Sequence, residues 1–178
     1  MKRLSLSLIS FILVAVSAVA ADYIVIGSQT SVFDAPSTSQ PLMNQFDEPV
    51  TVYSGMAFEV KGETNYYWCV DFPGFGDKYI SKKSCIKSQP VDITSGTYTM
   101  EYDDASYPVT FKSTSAAGIY DVTISHPFYS DNKYTAKKIT PEVLVISPSD
   151  ESEITGVATC IAGKIRVWLY NNMILPWS

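Results

Sequence analysis

A chain of 178 residues with 18 acidic against 13 basic side chains, and a net charge of −5, is poorly suited to nucleic acid, since neutralising phosphates takes a basic patch. The length suits one large domain or two small ones, each with a modest core. A single histidine, His126, means that any Ser-His or Cys-His mechanism has one imidazole to use as its base.

The chain opens with positive charge at Met1-Lys2-Arg3, an apolar stretch from Leu4 to Val16, and small residues at Ala18-Val19-Ala20. This is the pattern of an export signal, so residues 1–21 are expected to be removed. Ser5, Ser7, Ser10 and Ser17 interrupt the stretch, and a membrane-spanning helix needs about 20 predominantly apolar residues. No cysteine follows the apolar region directly, so a lipid-modified N-terminus is not available, and the later apolar runs are strand-sized. The expectation is a secreted or periplasmic protein that does not span the membrane after cleavage. Loss of Lys2 and Arg3 makes the mature chain more acidic still.

From residue 22 onward period-two alternation recurs and sustained helical periodicity does not, which predicts an all-β protein. Tyr23 to Ile26, Val50 to Tyr53, Ala57 to Lys61 and Tyr66 to Phe72 read as strands. Phe58 and Val60 share one face of their strand and Glu59 and Lys61 the other, the signature of a half-buried strand. Glu63-Thr64-Asn65 turns the chain, and Trp68 and Val70 return on a common face.

With these residues in view, 22–88 resembles the bacterial Src-homology-3-like domain. Val32-Phe33-Asp34-Ala35-Pro36-Ser37 matches its extended segment and proline turn. Gly55, Phe58 and Val60 match its central strand, Trp68 and Val70 its aromatic-led strand, and Gly76-Asp77-Lys78-Tyr79-Ile80-Ser81 its closing strand. The chain departs from the family in lacking the arginine-asparagine signature of the first segment and in carrying Tyr79 where tryptophan is common. The resemblance implies a small barrel of five or six strands, common in exported proteins, and a ligand in the cell envelope.

Lys87 to Ser95 is polar and proline-bearing and reads as the boundary before a second all-β domain over 96–178. There Tyr98, Met100 and Tyr102 share a face, then Val109 and Phe111, then Tyr120, Val122 and Ile124. Further strands are expected at Val143 to Ile146, Ile154 to Ile161 and Lys164 to Tyr170, with Ala162-Gly163 as a tight hairpin. The result is a β-meander of about six strands, a small barrel or sandwich. If Ile165, Val167 and Leu169 face its core, Trp168 and Tyr170 face outward or into the other half. The pairs Lys82-Lys83 and Lys137-Lys138 read as solvated turns.

No nucleophile elbow, metalloprotease helix, phosphate-binding loop or calcium loop is present, and no cofactor is expected. The cysteines do not have zinc-ligand spacing. In an oxidising compartment Cys69 and Cys85 form a candidate disulfide across a short loop, the alternative being three independent thiols including Cys160. Asp103-Asp104 and Asp150 to Glu153 read as solvated turns. The feature that points to function is aromatic: Tyr66, Tyr67, Phe72, Phe75 and Tyr79 gather around Pro73-Gly74-Phe75-Gly76, more rings than a small barrel can bury alongside Trp68. Such rings either bind sugars or peptides or seal the seam between the halves. The expectation is therefore an exported, non-enzymatic protein recognising a cell-wall peptide or glycan, or a protein partner, through an aromatic surface. The alternatives are a cell-wall hydrolase with an unrecognised site and a structural or inhibitory protein.

Overall fold

A computed structural model describes residues 22–102, 105–125, 133–149 and 154–170. Residues 1–21, Asp103-Asp104, His126, Asp150 to Glu153 and Trp177 lie outside the described residues. The protein is all-β and contains a closed barrel.

The first half runs β1 (Tyr23–Ile26), β2 (Thr30–Ser31), β3 (Thr51–Val52), β4 (Ala57–Glu63), β5 (Tyr67–Phe72) and β6 (Gly76–Ser81). A single 3-10 turn, Lys82–Ser84, then leads to β7 (Cys85–Ile86). Five of these strands form one sheet in the order β6-β5-β4-β1-β7, so the last strand returns beside the first. Between β2 and β3 the chain makes a long arm whose backbone pairs Phe33 with Tyr79 of β6, N to O at 2.9 Å in both directions. The alternation read from the sequence sorts the side chains: Ile24, Phe58, Val70, Phe72 and Ile80 are buried inside, with Met56 and Val52.

The second half runs β8 (Gly96–Tyr102), β9 (Ala105–Ser113), β10 (Ile119–Ile124), β11 (Tyr134–Thr140), β12 (Val143–Pro148), β13 (Gly156–Ile161) and β14 (Lys164–Leu169). These seven strands form an antiparallel meander that closes through a parallel pairing of β14 with β8 at Val167 and Met100. The parallel closure follows from the count, since the first and last strands of an odd-numbered meander run the same way. Met100, Val109, Phe111, Val122, Ile124, Leu144, Ile146, Ala158, Val167 and Leu169 fill the interior. Two sequence expectations change here. β11 was not expected, and Lys137 and Lys138 sit within it rather than in a turn. The meander has seven strands rather than about six, and of the two expected forms, barrel or sandwich, it takes the barrel.

The two halves pack side against side. Strands β12 and β13 are buried on both faces: Leu144, Ile146, Ala158 and Cys160 point into the barrel, while Val143, Val145, Val157 and Thr159 point at the first half. There they meet Val25 and Ala57 in one continuous apolar cluster. Trp168 and Tyr170 face into the other half, as one of the two sequence alternatives had it. Trp168 stacks on Tyr53 at 5.8 Å between ring centroids, and Tyr170 stacks on Phe58 at 5.4 Å. Three polar side chains bond across this seam, while Arg166 Nε, on β14 beside Gly55, is buried without a partner among the described residues. The Thr159 hydroxyl donates to the Gly55 carbonyl at 2.7 Å, the Trp168 indole N–H donates to the Ser54 carbonyl at 3.1 Å, and the Tyr170 hydroxyl donates to the Ala57 carbonyl. Such bonds matter chiefly because a buried carbonyl left without a donor costs about 1–3 kcal/mol.

The connection through 87–95 is tied down along its length. Ser88 Oγ and the Gln89 amide both donate to the Cys160 carbonyl, at 2.8 and 3.1 Å. Lys138 Nζ donates to the Val91 carbonyl at 3.0 Å, and Val91 and Ile93 are buried against the barrel core.

Candidate functional site

The turn between β4 and β5 is built by Thr64, whose backbone amide donates to the Tyr67 carbonyl at 2.8 Å while its hydroxyl accepts from the Tyr67 amide at 3.1 Å. This fixes the start of β5 and leaves Tyr66 projecting from the turn with 71% of its surface in solvent. Period two then places Tyr67, Cys69 and Asp71 on the outer face of β5. Because Cys69 pairs with Tyr79 in β6, the half-buried rings of Tyr67 and Tyr79 lie on that same face. Tyr67 rests edge-on against Phe33, centroids 5.9 Å apart. On the opposite face of β5 the half-buried Trp68 is covered by Lys82, whose ammonium sits 4.4 Å from the ring centroid and is also paired with Glu63.

The sequence-predicted set therefore divides. Tyr67 and Tyr79 share the outer face of the β5–β6 hairpin, and Tyr66 is exposed in the turn just before β5. Phe72 is not a surface residue: it is 0% exposed, tilted against Phe58 at 5.2 Å, in the core of the first half. Its parity explains this, since Phe72 shares the inward face of β5 with Val70. Phe75 is half-buried and packs on Phe72 at 6.1 Å, so it extends the same core rather than the tyrosine face. The ring stacks across the seam are made by Tyr53 with Trp168 and by Phe58 with Tyr170.

The candidate disulfide is also corrected. Cys69, Cys85 and Cys160 are all free thiols. Cys69 lies in β5 and Cys85 in β7, three inter-strand steps apart in the sheet. At about 4.8 Å per step that is roughly 14 Å, against the 7 Å that a disulfide spans at most between Cα atoms. Burial pushes the Cys85 thiol up to about 11, and burial with the nearby Asp77 raises Cys69 against an opposing hydrogen bond from Tyr79. Neither has the lowered pKa of a reactive nucleophile.

One exposed ring was missed. Phe46 stands 66% exposed at the tip of the arm between β2 and β3, with Met43 exposed beside it. The tip is rigidly made: Asn44 Oδ1 accepts from the amides of Phe46 at 2.8 Å and Glu48 at 3.0 Å, and Asp47 adopts a φ of 59°. Asn and Asp are the residues that build and tolerate such turns. Asn44-Gln45-Phe46-Asp47 before Pro49 was the available signal.

Among the described residues, no group of three or more His, Cys, Asp or Glu side chains is placed to hold a metal, and no helix is long and apolar enough to cross a membrane. Compared with known proteins, the chain matches no family model, no curated protein and no solved structure.

Proposed function

We propose that the protein is an exported, non-enzymatic binding protein whose first half is a Src-homology-3-like barrel. In this reading it engages a cell-envelope ligand, a cell-wall peptide or glycan, or a protein partner, through Tyr66, Tyr67 and Tyr79. The barrel reading is supported by a meander whose last short strand, entered through a 3-10 turn, returns beside its first, and by the Phe33–Tyr79 pairing that curls the arm onto β6. The leader composition of residues 1–21 supports export. The binding reading rests on one observation above the others: a hydrogen-bonded turn leaves most of Tyr66 in solvent at the start of the hairpin that carries Tyr67 and Tyr79. Tyrosine joins a large apolar face to a polar tip at low conformational cost, which suits it to stacking on sugars and peptides.

The test is to incubate the purified protein with insoluble cell-wall material and to measure both co-sedimentation and release of soluble fragments. Co-sedimentation that Tyr66→Ala and Tyr67→Ala reduce, without fragment release, is the expected result. Release of fragments moves the protein to the hydrolase class, and retention indifferent to both substitutions removes the tyrosine face as the site.

A further inference from the structure

A second concave feature lies at the other end of β5, where the sheet meets the barrel. Tyr23 of β1, Phe58 and Glu59 of β4, Asp71 of β5 and the Gly74 turn face Tyr170 across a cleft of about 310 Å³. That volume is at the small end of ligand pockets. Its chemistry is specific: two carboxylates and the Tyr23 ring line it, and the Lys61 ammonium lies 2.7 Å from Glu59 and 3.8 Å from Asp71. Lys61 is the extra residue of a bulge in β4, between the Val60–Val70 and Gly62–Cys69 pairs, and bulges commonly re-aim a side chain.

We propose that this cleft binds a small organic cation, an alkylammonium or guanidinium group, between the carboxylates of Glu59 and Asp71 and beside the ring of Tyr23. Three observations carry it. The carboxylates are near enough to share one cation, because Lys61 already reaches both. Lys61 is itself substantially solvent-exposed, and an exposed pair of this kind is worth little, so a ligand can displace it at small cost. The half-buried Tyr23 ring lines the cleft beside them, and an aromatic ring near a cation adds attraction of its own. The Tyr23 phenol is consistent with this: burial first, then the charges of Glu59 and Asp71, push it up to about 12.

The proposal is separable from the reading of Tyr66 as a recognition residue, since Tyr66 precedes the first residue of β5 and Asp71 lies near its last. The experiment is an amide chemical-shift titration of the purified protein with n-butylammonium, using n-pentanol and butyrate as neutral and anionic counterparts. Saturable shifts at Tyr23 and Gly74 with the cation alone are expected. Glu59→Gln and Asp71→Asn should each weaken binding about tenfold, equivalent to about 1.4 kcal/mol. Lys61→Gln should tighten it severalfold, and Tyr66→Ala should leave it unchanged. Tighter binding of Nα-acetyl-lysine amide than of n-butylammonium assigns the site to a peptide side chain; equal or weaker binding assigns it to a free amine. Absence of a cation-specific saturable shift overturns the proposal. So does undiminished affinity in a folded Glu59→Gln, Asp71→Asn double variant. Should that variant lose stability, Lys61→Gln decides alone, and failure to tighten binding overturns the inference.

Discussion

Replacing Gly55 by alanine probes the seam where the halves meet. Gly55 has a φ of 99°, and a Cβ placed there would lie 2.7 Å from Arg166 Cβ and 2.9 Å from Trp168 Nε1. Two costs follow, and a second glycine separates them. Gly163 also has a positive φ, 74°, but a Cβ there meets nothing within 4 Å. Gly163→Ala should therefore cost only the backbone strain of a left-handed alanine, about 1–2 kcal/mol. Gly55→Ala should cost that strain plus about 1–3 kcal/mol of overpacking. Pushing the turn away from β14 also stretches the Thr159–Gly55 and Trp168–Ser54 hydrogen bonds. For a chain of this size each kcal/mol lowers Tm by about 2–4 °C, so the two variants should be distinguishable by thermal melting and by urea titration. Equal losses in the two variants would show that the turn does not press on the barrel and would refute the packed seam.

Tyr66→Ala should leave the urea midpoint within about 0.5 kcal/mol of wild type while weakening cell-wall retention, whereas Phe72→Ala should cost about 3–5 kcal/mol; a stability loss at Tyr66 comparable to that at Phe72 would contradict the division of the aromatic set. Ala162 holds a φ of 50° before Gly163 in the β13–β14 hairpin, a position that favours asparagine, so Ala162→Asn should raise stability by about 0.5–1 kcal/mol, read as a higher urea midpoint. Without reductant, denatured protein should react with three equivalents of a thiol reagent, one for each free cysteine, and in the native state at pH 8 the buried Cys160 should react far more slowly than in denaturant; one equivalent only in denaturant would mean a disulfide. Because the Tyr23 pKa is raised from 10 to about 12 in the folded state, its neutral form contributes stability that is intact below pH 10 and lost as pH climbs toward 12. Denaturation of wild type and Tyr23→Phe across that window should show wild type losing more, and parallel curves would contradict the assignment.

Alternation by itself determined the all-β class and most strand positions, because in β4, β8, β9 and β10 one face is buried and the other solvated, and period two records that directly. The Ala162-Gly163 hairpin was equally legible, since the turn type demands residues at positive φ. The inward place of Phe72 was available too: extending the Trp68–Val70 face by two residues reaches it. Strand β11 left a weaker trace, because Tyr134 and Ala136 point inward while Lys137 and Lys138 break the pattern, and Lys138 is drawn to the Val91 carbonyl by a contact 47 residues away. Only the tertiary structure decided what depends on strand order. Cys69 and Cys85 are near in sequence, yet β4 and β1 stand between their strands. The outward Trp168 and Tyr170, the apolar outer faces of β12 and β13, and the meeting of Glu59, Asp71 and Tyr23 with Tyr170 likewise depend on which surface of the barrel the first sheet covers. Local periodicity tells which side of a strand is dry, but the partner that dries it is chosen by contacts between residues far apart in the chain.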